Sequence, residues 1–231
     1  MNAHNSEDGT SNHAQLMDKV YRHQRHIYDL TRKYYLLGRD RLVRELNAKP
    51  GESVVEIGCG TARNLIRIAR AYPGAKLYGL DASAEMLITA NESIARAGLK
   101  DRILLKHAYA EDMTPALFGL NDAFDHAVFS YSLSMIPDWR GALKSAAACV
   151  KPQGAIHAVD FGDLKGLWRP LANGLRAWLR LFHVKPREEL LAAVERGGTN
   201  STSRLHVLPG RYAFVFRANP DLVRMIAQGS R

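Results

Sequence analysis

The middle of the chain alternates between short apolar runs and amphipathic helical patterns. The apolar runs predict five β-strands: SVVEI, KLYGLD, RILLKH, DHAVFS and AIHAVD. Helical spacing of apolar positions between them predicts helices from Thr61, Ser83 and Pro137, and a short helix near Pro115. Strands that alternate with helices require right-handed crossovers, so the pattern predicts a doubly wound α/β fold with a mostly parallel sheet.

The two ends of the chain differ from this repeating pattern. Near the C-terminus, STSRLHVL and YAFVF flank Pro209-Gly210 and predict an antiparallel hairpin at the sheet edge, which brings the sheet to seven strands. The resulting organisation has a disordered tail, an N-terminal helical lid, a sheet domain with a helical insertion, and a C-terminal tail. Their predicted ranges are 1–15, 16–47, 48–218 (insertion 165–196) and 219–231.

Charge is concentrated in two segments. The net charge of the chain is +9. Residues 18–44 carry a net charge of +5, and residues 165–187 carry +6 without one acidic side chain, so the rest of the chain is close to neutral. This distribution indicates an anionic partner, either lipid head groups or nucleic-acid phosphates.

Cysteine content and hydropathy indicate the cellular compartment in which the protein is expected. Two cysteines cannot form a disulfide framework, and no Cys/His cluster has metal-ligand spacing, so we expect a reducing compartment and no metal. The polar N-terminus does not resemble a signal peptide, and no apolar run reaches the roughly 18 residues that a spanning helix needs. We expect a cytoplasmic protein that associates peripherally with the membrane.

The segment EIGCGTARNL links the first predicted strand to the first helix. Gly58 and Gly60 allow a sharp turn and close approach of a ligand to the helix N-terminus. Arg63 stands where a dinucleotide fingerprint has its third glycine, which disfavours NAD or FAD. With Glu56 before the loop and Asp81 at the end of the second strand, the segment resembles the class I S-adenosylmethionine-dependent methyltransferases, a Rossmann-like family.

This resemblance implies S-adenosylmethionine as cofactor, with S-adenosylhomocysteine as product. In the family, an acid at the end of the second strand binds the ribose, the loop after the third strand holds the adenine, and residues after the fourth strand, here Ser130, Tyr131 and Ser132, face the methyl group. Asp112 is an alternative to Glu111 for the adenine. The expected cofactor contacts in the core are Glu56, Gly58, Gly60, Asp81, Ala82, Met86, Ala110, Glu111 and Ser130.

Catalysis by such a site depends mainly on positioning, because the sulfonium donor is already activated. A nitrogen acceptor must lose a proton, and Tyr131, Asp160 and His157 are candidates to assist. Strand alternation places His157 and Asp160 on opposite faces, so at most one of them points at the site. For His126 and His157, a structural role within the strands is favoured over catalysis.

The segment GLWRPLANGLRAWLRLF, residues 166–182, predicts an amphipathic helix with a broad apolar face. Leu, Trp and Phe residues fall within one arc, and Lys165, Arg169, Arg176 and Arg180 lie on the far side. A Trp/Phe/Leu face flanked by arginines is typical of a helix in a bilayer interface. The alternative is that this face packs on the protein's own sheet.

A more specific resemblance extends over nearly the whole chain from about residue 15. The segments YRHQRHIYDLTRKYYLLGRDRL, EIGCGTARNL, YSLSMIPDW, FHVKPREEL and GRYAFVF resemble the bacterial betaine-lipid N-methyltransferases. That family converts diacylglyceryl homoserine to diacylglyceryl-N,N,N-trimethylhomoserine with three methyl transfers.

The resemblance implies that the N-terminal segment closes over the cofactor as a lid. Tyr28, Arg32, Tyr34 and Tyr35 are then candidates to contact the methionine part or the acceptor, and Tyr28 joins Tyr131 and Asp160 as a candidate catalytic residue. Packing of the lid on the sheet is the alternative role for its tyrosines. The candidates to hold the lipid carboxylate are Lys185, Arg187, Arg204 and Arg211.

Two other functions fit parts of the sequence. An RNA or protein methyltransferase would use the basic segments on a polyanionic substrate. Nucleic acid is disfavoured because SYSLSM lacks the Asn/Asp-Pro-Pro-aromatic element of base-amino methylation and few aromatics are interleaved with basic residues. A non-catalytic lipid sensor that binds the cofactor is the third hypothesis.

Overall fold

The sheet in the computed structural model has seven strands. The structure describes residues 36–182, 184–197 and 203–229. Strands β1–β5 are parallel to one another, and β7 runs antiparallel between β5 and β6 in the order β3-β2-β1-β4-β5-β7-β6. The strands are β1 Ser53–Ile57, β2 Lys76–Asp81, β3 Ile103–His107, β4 Phe124–Ser130, β5 Val150–Phe161, β6 Arg204–Val207 and β7 Ala213–Ala218. The predicted doubly wound, mostly parallel sheet is confirmed.

Helices cover both faces of this sheet. Consecutive strand residues point to opposite faces, so nearly continuous apolar strands supply a core on each side. Helices α4, α6 and α7 pack on the face that carries Ile57 and Phe129, whereas α1, α2, α3 and α5 pack on the face that carries Val54 and Val128. The helices are α1 Arg39–Leu46, α2 Arg63–Ala71, α3 Ala84–Arg96, α4 Trp139–Cys149, α5 Arg169–Leu181, α6 Glu188–Gly197 and α7 Pro220–Gln228.

Two regions differ from the prediction. The helical insertion consists of two helices, because the chain leaves helical geometry at Phe182 and does not resume it until Glu188, after Pro186. The prediction of a C-terminal tail is wrong, because α7 forms there. Asn219 caps α7 by accepting a hydrogen bond from the Leu222 N–H, and the apolar side of the helix is buried against the sheet.

The strand order reverses between β1 and β4, which places a crevice at the carboxyl ends of these strands. Most of the predicted lid, including Tyr28 and Arg32, lies outside the described residues. Of the lid's predicted range, α1 lies against α2 and β5. Within the described ranges, we find no helix with both the length and the apolar character needed to cross a bilayer.

Candidate functional site

The β1–α2 loop forms the centre of the crevice and requires glycine at two positions. Gly58 and Gly60 have φ angles of 71° and 53°, which belong to the left-handed region. A Cβ atom at Gly58 would lie 2.6 Å from Ser132 Cβ. Ser132 is held in place because its Oγ donates a hydrogen bond of 2.8 Å to the Ile57 carbonyl. The loop therefore lies directly against the segment that follows β4.

Asp81 ends β2 beside this loop. Its Oδ2 accepts a hydrogen bond of 2.7 Å from the Gly60 N–H, and its Oδ1 accepts one of 2.9 Å from the Ser83 N–H. These bonds orient the carboxylate at the carboxyl edge of the sheet and connect the ends of β1 and β2. An acid in this place suits a ligand with neighbouring hydroxyl groups, as a ribose has.

Glu56 is the most unusual ionisable group of the crevice. Its side chain is buried, and Oε1 accepts a hydrogen bond of 2.8 Å from Asn64 Nδ2. Oε2 is buried without a hydrogen-bond partner in the described part of the chain. Burial raises the pKa of Glu56 to about 8, against the lowering effects of Asn64 and Arg39. A buried carboxyl group with an unpaired oxygen beside a glycine loop indicates the site of a cationic ligand group.

Further predicted cofactor contacts, including those for the adenine, lie after β2 and β3. Met86 is buried in the first turn of α3, where its N–H donates to the capping Ser83. Ala110 is buried in a 3-10 turn, whereas Glu111 and Asp112 in the same turn are exposed. Both acids also border a cleft of about 650 Å³ that α4 lines on its other side. The choice between Glu111 and Asp112 stays open.

Two further predicted contacts flank this region. The Ala82 carbonyl lies 3.0 Å from His107 Nε2, which connects the ends of β2 and β3. Ser130 ends β4, and its Oγ is buried without a hydrogen-bond partner among the residues that the structure describes. A second unpaired polar atom at the carboxyl edge is consistent with a ligand in the crevice.

Tyr131 is locked by contacts with neighbouring segments. It has a φ angle of 57°, and its ring packs edge-on against Phe161 with the centroids 4.7 Å apart. Its hydroxyl donates a hydrogen bond of 2.5 Å to the Leu37 carbonyl, which attaches the chain before α1 to the crevice. These contacts favour a positioning role, and the catalytic role of Tyr131 stays a prediction.

Asp160 organises the loop after β4. The buried carboxylate accepts hydrogen bonds from the Ser134 N–H at 2.9 Å and from its neighbouring Phe161 N–H at 2.8 Å. Burial raises the pKa of Asp160 to about 6, although these hydrogen bonds lower it. Asp160 therefore titrates near neutral pH, and its predicted role as proton acceptor stays a prediction.

Arg187 also braces this loop. Its Nε donates to the Leu133 carbonyl at 3.1 Å, and its Nη2 donates to the Ile136 carbonyl at 2.7 Å. The Lys185 N–H adds a bond of 3.0 Å to the Ser134 carbonyl. The segment after α5 thus holds the post-β4 loop in place.

Of the four basic residues predicted as candidates to hold an acceptor carboxylate, two already have other partners. Arg187 is engaged with the two backbone carbonyls, and Arg211 pairs with Asp163 and Glu195. Lys185 and Arg204 are exposed. Sequence reasoning considered Arg187 only for its charge and did not identify its bracing contacts or the Asn64–Glu56 bond.

We expect Arg187→Gln to lower the free energy of unfolding by about 2 kcal/mol, because two partly buried carbonyls lose a charged donor. The acceptor KM should rise, while cofactor affinity should change little. Urea unfolding and steady-state kinetics measure these effects. Arg204→Gln, on the exposed edge strand, is the control, and equal stability of the two variants would contradict the bracing role.

The two strand histidines, His126 and His157, form a separate buried pair. His126 Nδ1 lies 3.2 Å from His157 Nε2, and His126 Nε2 lies 3.1 Å from Glu52 Oε2. The chain of contacts runs toward the amino end of β1, away from the glycine loop. Burial, aided by His126 and Arg217, holds the pKa of His157 well below its usual value.

The depressed pKa of His157 predicts acid lability. The folded protein keeps His157 neutral whereas the unfolded chain binds a proton, so this contribution is present above pH 6.5 and is lost as the pH falls below it. Urea unfolding at pH 7.5 and pH 5 should show that the wild type and the exposed-site control His206→Gln lose stability relative to His157→Gln as the pH falls. An identical change in all three proteins would contradict this prediction.

Comparison with known proteins agrees with this geometry. Residues 54–154 match the family model described as Methyltransferase domain. A demethylmenaquinone methyltransferase of Bacillus cytotoxicus is 29% identical over 123 residues, which are 53% of this chain and 50% of that protein. The enzyme of that name from Halalkalibacterium halodurans is 28% identical over 152 residues, which are 63% of this chain and 58% of that protein. The chain therefore spans little more than half the length of these curated relatives.

The fold also matches a solved structure. A SAM dependent methyltransferase from Aquifex aeolicus superposes with a TM-score of 0.57 and 19% identity, covering 90% of this chain and 97% of that one. This likeness concerns the fold alone. It confirms the predicted class I methyltransferase fold. The family model and the relatives, all named for methyl transfer, support the predicted transferase and its S-adenosylmethionine cofactor.

Proposed function

We propose that this protein, which carries a class I S-adenosylmethionine-dependent methyltransferase domain, methylates the amino group of diacylglyceryl homoserine. Three successive transfers would give diacylglyceryl-N,N,N-trimethylhomoserine. The main observation in support of methyl transfer is the buried oxygen of Glu56, which has no partner among the described residues and lies in the glycine-loop segment with Gly58. The choice of acceptor is supported by the sequence resemblance, which includes the post-β4 segment YSLSMIPDW and the bracing segment FHVKPREEL.

The crevice residues fit the cofactor. When bound, S-adenosylmethionine supplies an electrophilic methyl group. Glu56 offers a buried carboxylate oxygen for the cationic amino-acid end, and Asp81, fixed by two backbone N–H groups, offers acceptors for ribose hydroxyls. Gly58 leaves room where any side chain would meet Ser132. Met86 supplies an apolar contact for the base.

The acceptor side depends on the loop after β4. Asp160 and Arg187 fix this loop through its backbone N–H and carbonyl groups, which limits motion of an acceptor placed against it. A fixed geometry supplies much of the rate acceleration for in-line displacement at an activated carbon. The acceptor nitrogen must also lose a proton, and a carboxyl group whose pKa is about 6, as for Asp160, is ionised at neutral pH.

A second candidate acceptor is demethylmenaquinone, because the relatives reported above are named for it. Like the betaine-lipid precursor, it is a lipid. Either acceptor requires the protein to work at a membrane, so peripheral association and an anionic lipid partner belong to the proposal. A polyanionic RNA or protein substrate is the remaining alternative, favoured only by the basic charge.

The test is to supply methyl-labelled S-adenosylmethionine with each acceptor separately in detergent. The proposal expects label in diacylglyceryl homoserine and formation of mono-, di- and trimethylated products by mass spectrometry. Asp81→Asn serves as a control with weakened cofactor binding. Label in demethylmenaquinone alone would show that this lipid, and not diacylglyceryl homoserine, is the acceptor. Label only in RNA or protein would rule out a lipid substrate.

A further inference from the structure

Helix α5 exposes an apolar edge. Trp168, Leu171 and Leu181 have 76%, 57% and 72% of their surface exposed. The other large hydrophobic side chains with high exposure in the described ranges lie singly on different elements: Leu37, Ile88, Leu104 and Met225. Clustering of exposed apolar side chains on one helix and its N-cap residue, Trp168, indicates a contact surface rather than scattered exposure.

The apolar face of α5 that the sequence predicts is divided in the structure. Ala172 and Leu179 are buried against the body of the protein, with Leu175 partly buried beside them. Leu171, Trp178 and Leu181 share the adjacent side of the helix because they are spaced by seven and three residues. One side of the helix therefore packs inward and the neighbouring side faces outward, and a place in a bilayer interface stays a prediction.

Gly174 shows that this outward side is open. It falls between Leu171 and Trp178 on the same side of α5, and a Cβ atom built on it would meet no described atom within 4 Å. We define the apolar edge as Trp168, Leu171, Gly174, Trp178 and Leu181.

The apolar edge is continuous with the cofactor crevice. The rings of Trp178 and Phe182 are in edge contact, with centroids 5.0 Å apart. Phe182 and Met135 pack in turn against Met86, one of the predicted cofactor contacts. The Lys185 N–H then joins the chain after α5 to the Ser134 carbonyl. Whatever covers the apolar edge therefore lies next to the crevice and the segment after β4.

Charge identifies the occupant. The basic side chains of Arg169, Arg180 and Lys185 are exposed on and just after α5, and residues 165–187 contain no acidic side chain. Apolar side chains that enter the acyl boundary, together with cations that meet anionic head groups, are the properties of interfacial helices. We propose that the apolar edge of α5 docks on an anionic bilayer and holds the crevice against it.

This inference rests on the proposed function for the acceptor, which would enter the crevice without leaving the bilayer. It predicts which side of α5 enters the membrane. The buried side, with Leu179, is not needed for docking, so substitutions on the apolar edge should alter membrane binding without unfolding the protein.

The test measures partition of the full chain into phosphatidylcholine vesicles with and without phosphatidylglycerol, without cofactor or acceptor. We expect Leu171→Glu/Leu181→Glu to lower the partition coefficient roughly tenfold or more. Arg169→Gln and Arg180→Gln should each lower it roughly fivefold on anionic vesicles only. The control is Met225→Glu, which replaces an exposed apolar side chain on α7 and should change nothing.

Gly174 provides a test that misfolding cannot imitate. Gly174→Leu should raise the partition coefficient, whereas Gly174→Glu should lower it, since the Cβ atom of either side chain meets no described atom within 4 Å. Unchanged partition in the Leu171→Glu/Leu181→Glu variant would overturn the proposal. The proposal would also be overturned if the wild type did not bind vesicles but self-associated, and if this variant abolished the self-association. A second copy of the chain would then cover the apolar edge.

Methyl transfer to detergent-dispersed acceptor separates this inference from the proposed function. The docking proposal predicts that Leu171→Glu/Leu181→Glu keeps wild-type activity in detergent but loses it on vesicles. If the wild type labels no lipid in detergent yet binds vesicles as described, the proposed acceptor is wrong and the docking surface stands.

Discussion

Gly58→Ala is expected to lower the affinity for S-adenosylhomocysteine at least a hundredfold, roughly 3 kcal/mol. The added Cβ would lie 2.6 Å from Ser132 Cβ, and Ser132 is tied to the Ile57 carbonyl. The loop must therefore move away from the segment after β4, which displaces the backbone that approaches the ligand. The left-handed φ of 71° adds a conformational penalty of about 1 kcal/mol.

A matched substitution separates strain from steric conflict. Gly51 also has a left-handed φ, of 86°, but a Cβ there would meet nothing within 4 Å of it among the described residues. Gly51→Ala should therefore reproduce the loss of stability from backbone strain while binding remains normal. Calorimetric titration and urea unfolding of both variants measure the two effects. Wild-type affinity in Gly58→Ala would show that the glycine loop does not approach the ligand.

Glu56→Gln is expected to stabilise the ligand-free protein and to weaken cofactor binding. The pKa of Glu56 in the folded protein is about 8, above the usual value of 4.5. The contribution of protonated Glu56 to stability is therefore complete below pH 4.5 and is lost as the pH rises to about 8. At pH 7 the penalty is roughly 3 kcal/mol. Glutamine keeps the oxygen that accepts the hydrogen bond from Asn64 but carries no charge. The cost in stability at pH 7 therefore disappears, and so does the negative charge that would pair with a cationic ligand group.

The same carboxyl group should make cofactor binding release a proton. Free Glu56 is protonated at pH 7, and pairing with an ammonium group favours the ionised form. Wild-type affinity should rise up to tenfold per pH unit below pH 8. Titration in buffers of different ionisation enthalpy measures the released proton. Glu92→Gln, on the exposed side of α3, is the control, and pH-independent wild-type binding without proton release would contradict the role of Glu56.

The sheet and the glycine loop could be predicted because local sequence determines them. A central parallel strand is buried on both faces, so it appears as an apolar run, and the order of runs and helices leaves few topologies. The loop was recognisable because backbone turns at Gly58 and Gly60 need glycine wherever the rest of the chain lies.

Features that depend on tertiary contacts were not predictable. The chain at α7 carries a start signal, Asn219 followed by Pro220, but one short helix after a hairpin has no repeating pattern to identify it. The division of the α5 face depends on which side the sheet covers. Likewise, the bonds from Tyr131 to Leu37 and from Arg187 to the post-β4 loop join segments far apart in sequence.

The central claim is that the crevice at the carboxyl ends of the parallel strands binds S-adenosylmethionine through Glu56, Gly58 and Asp81. The most direct measurement is a crystal structure with saturating S-adenosylhomocysteine. We expect the ligand beside the glycine loop, with its amino group within hydrogen-bond distance of Glu56 and its ribose hydroxyls within reach of Asp81. A crevice without ligand, or ligand bound elsewhere, would contradict the account.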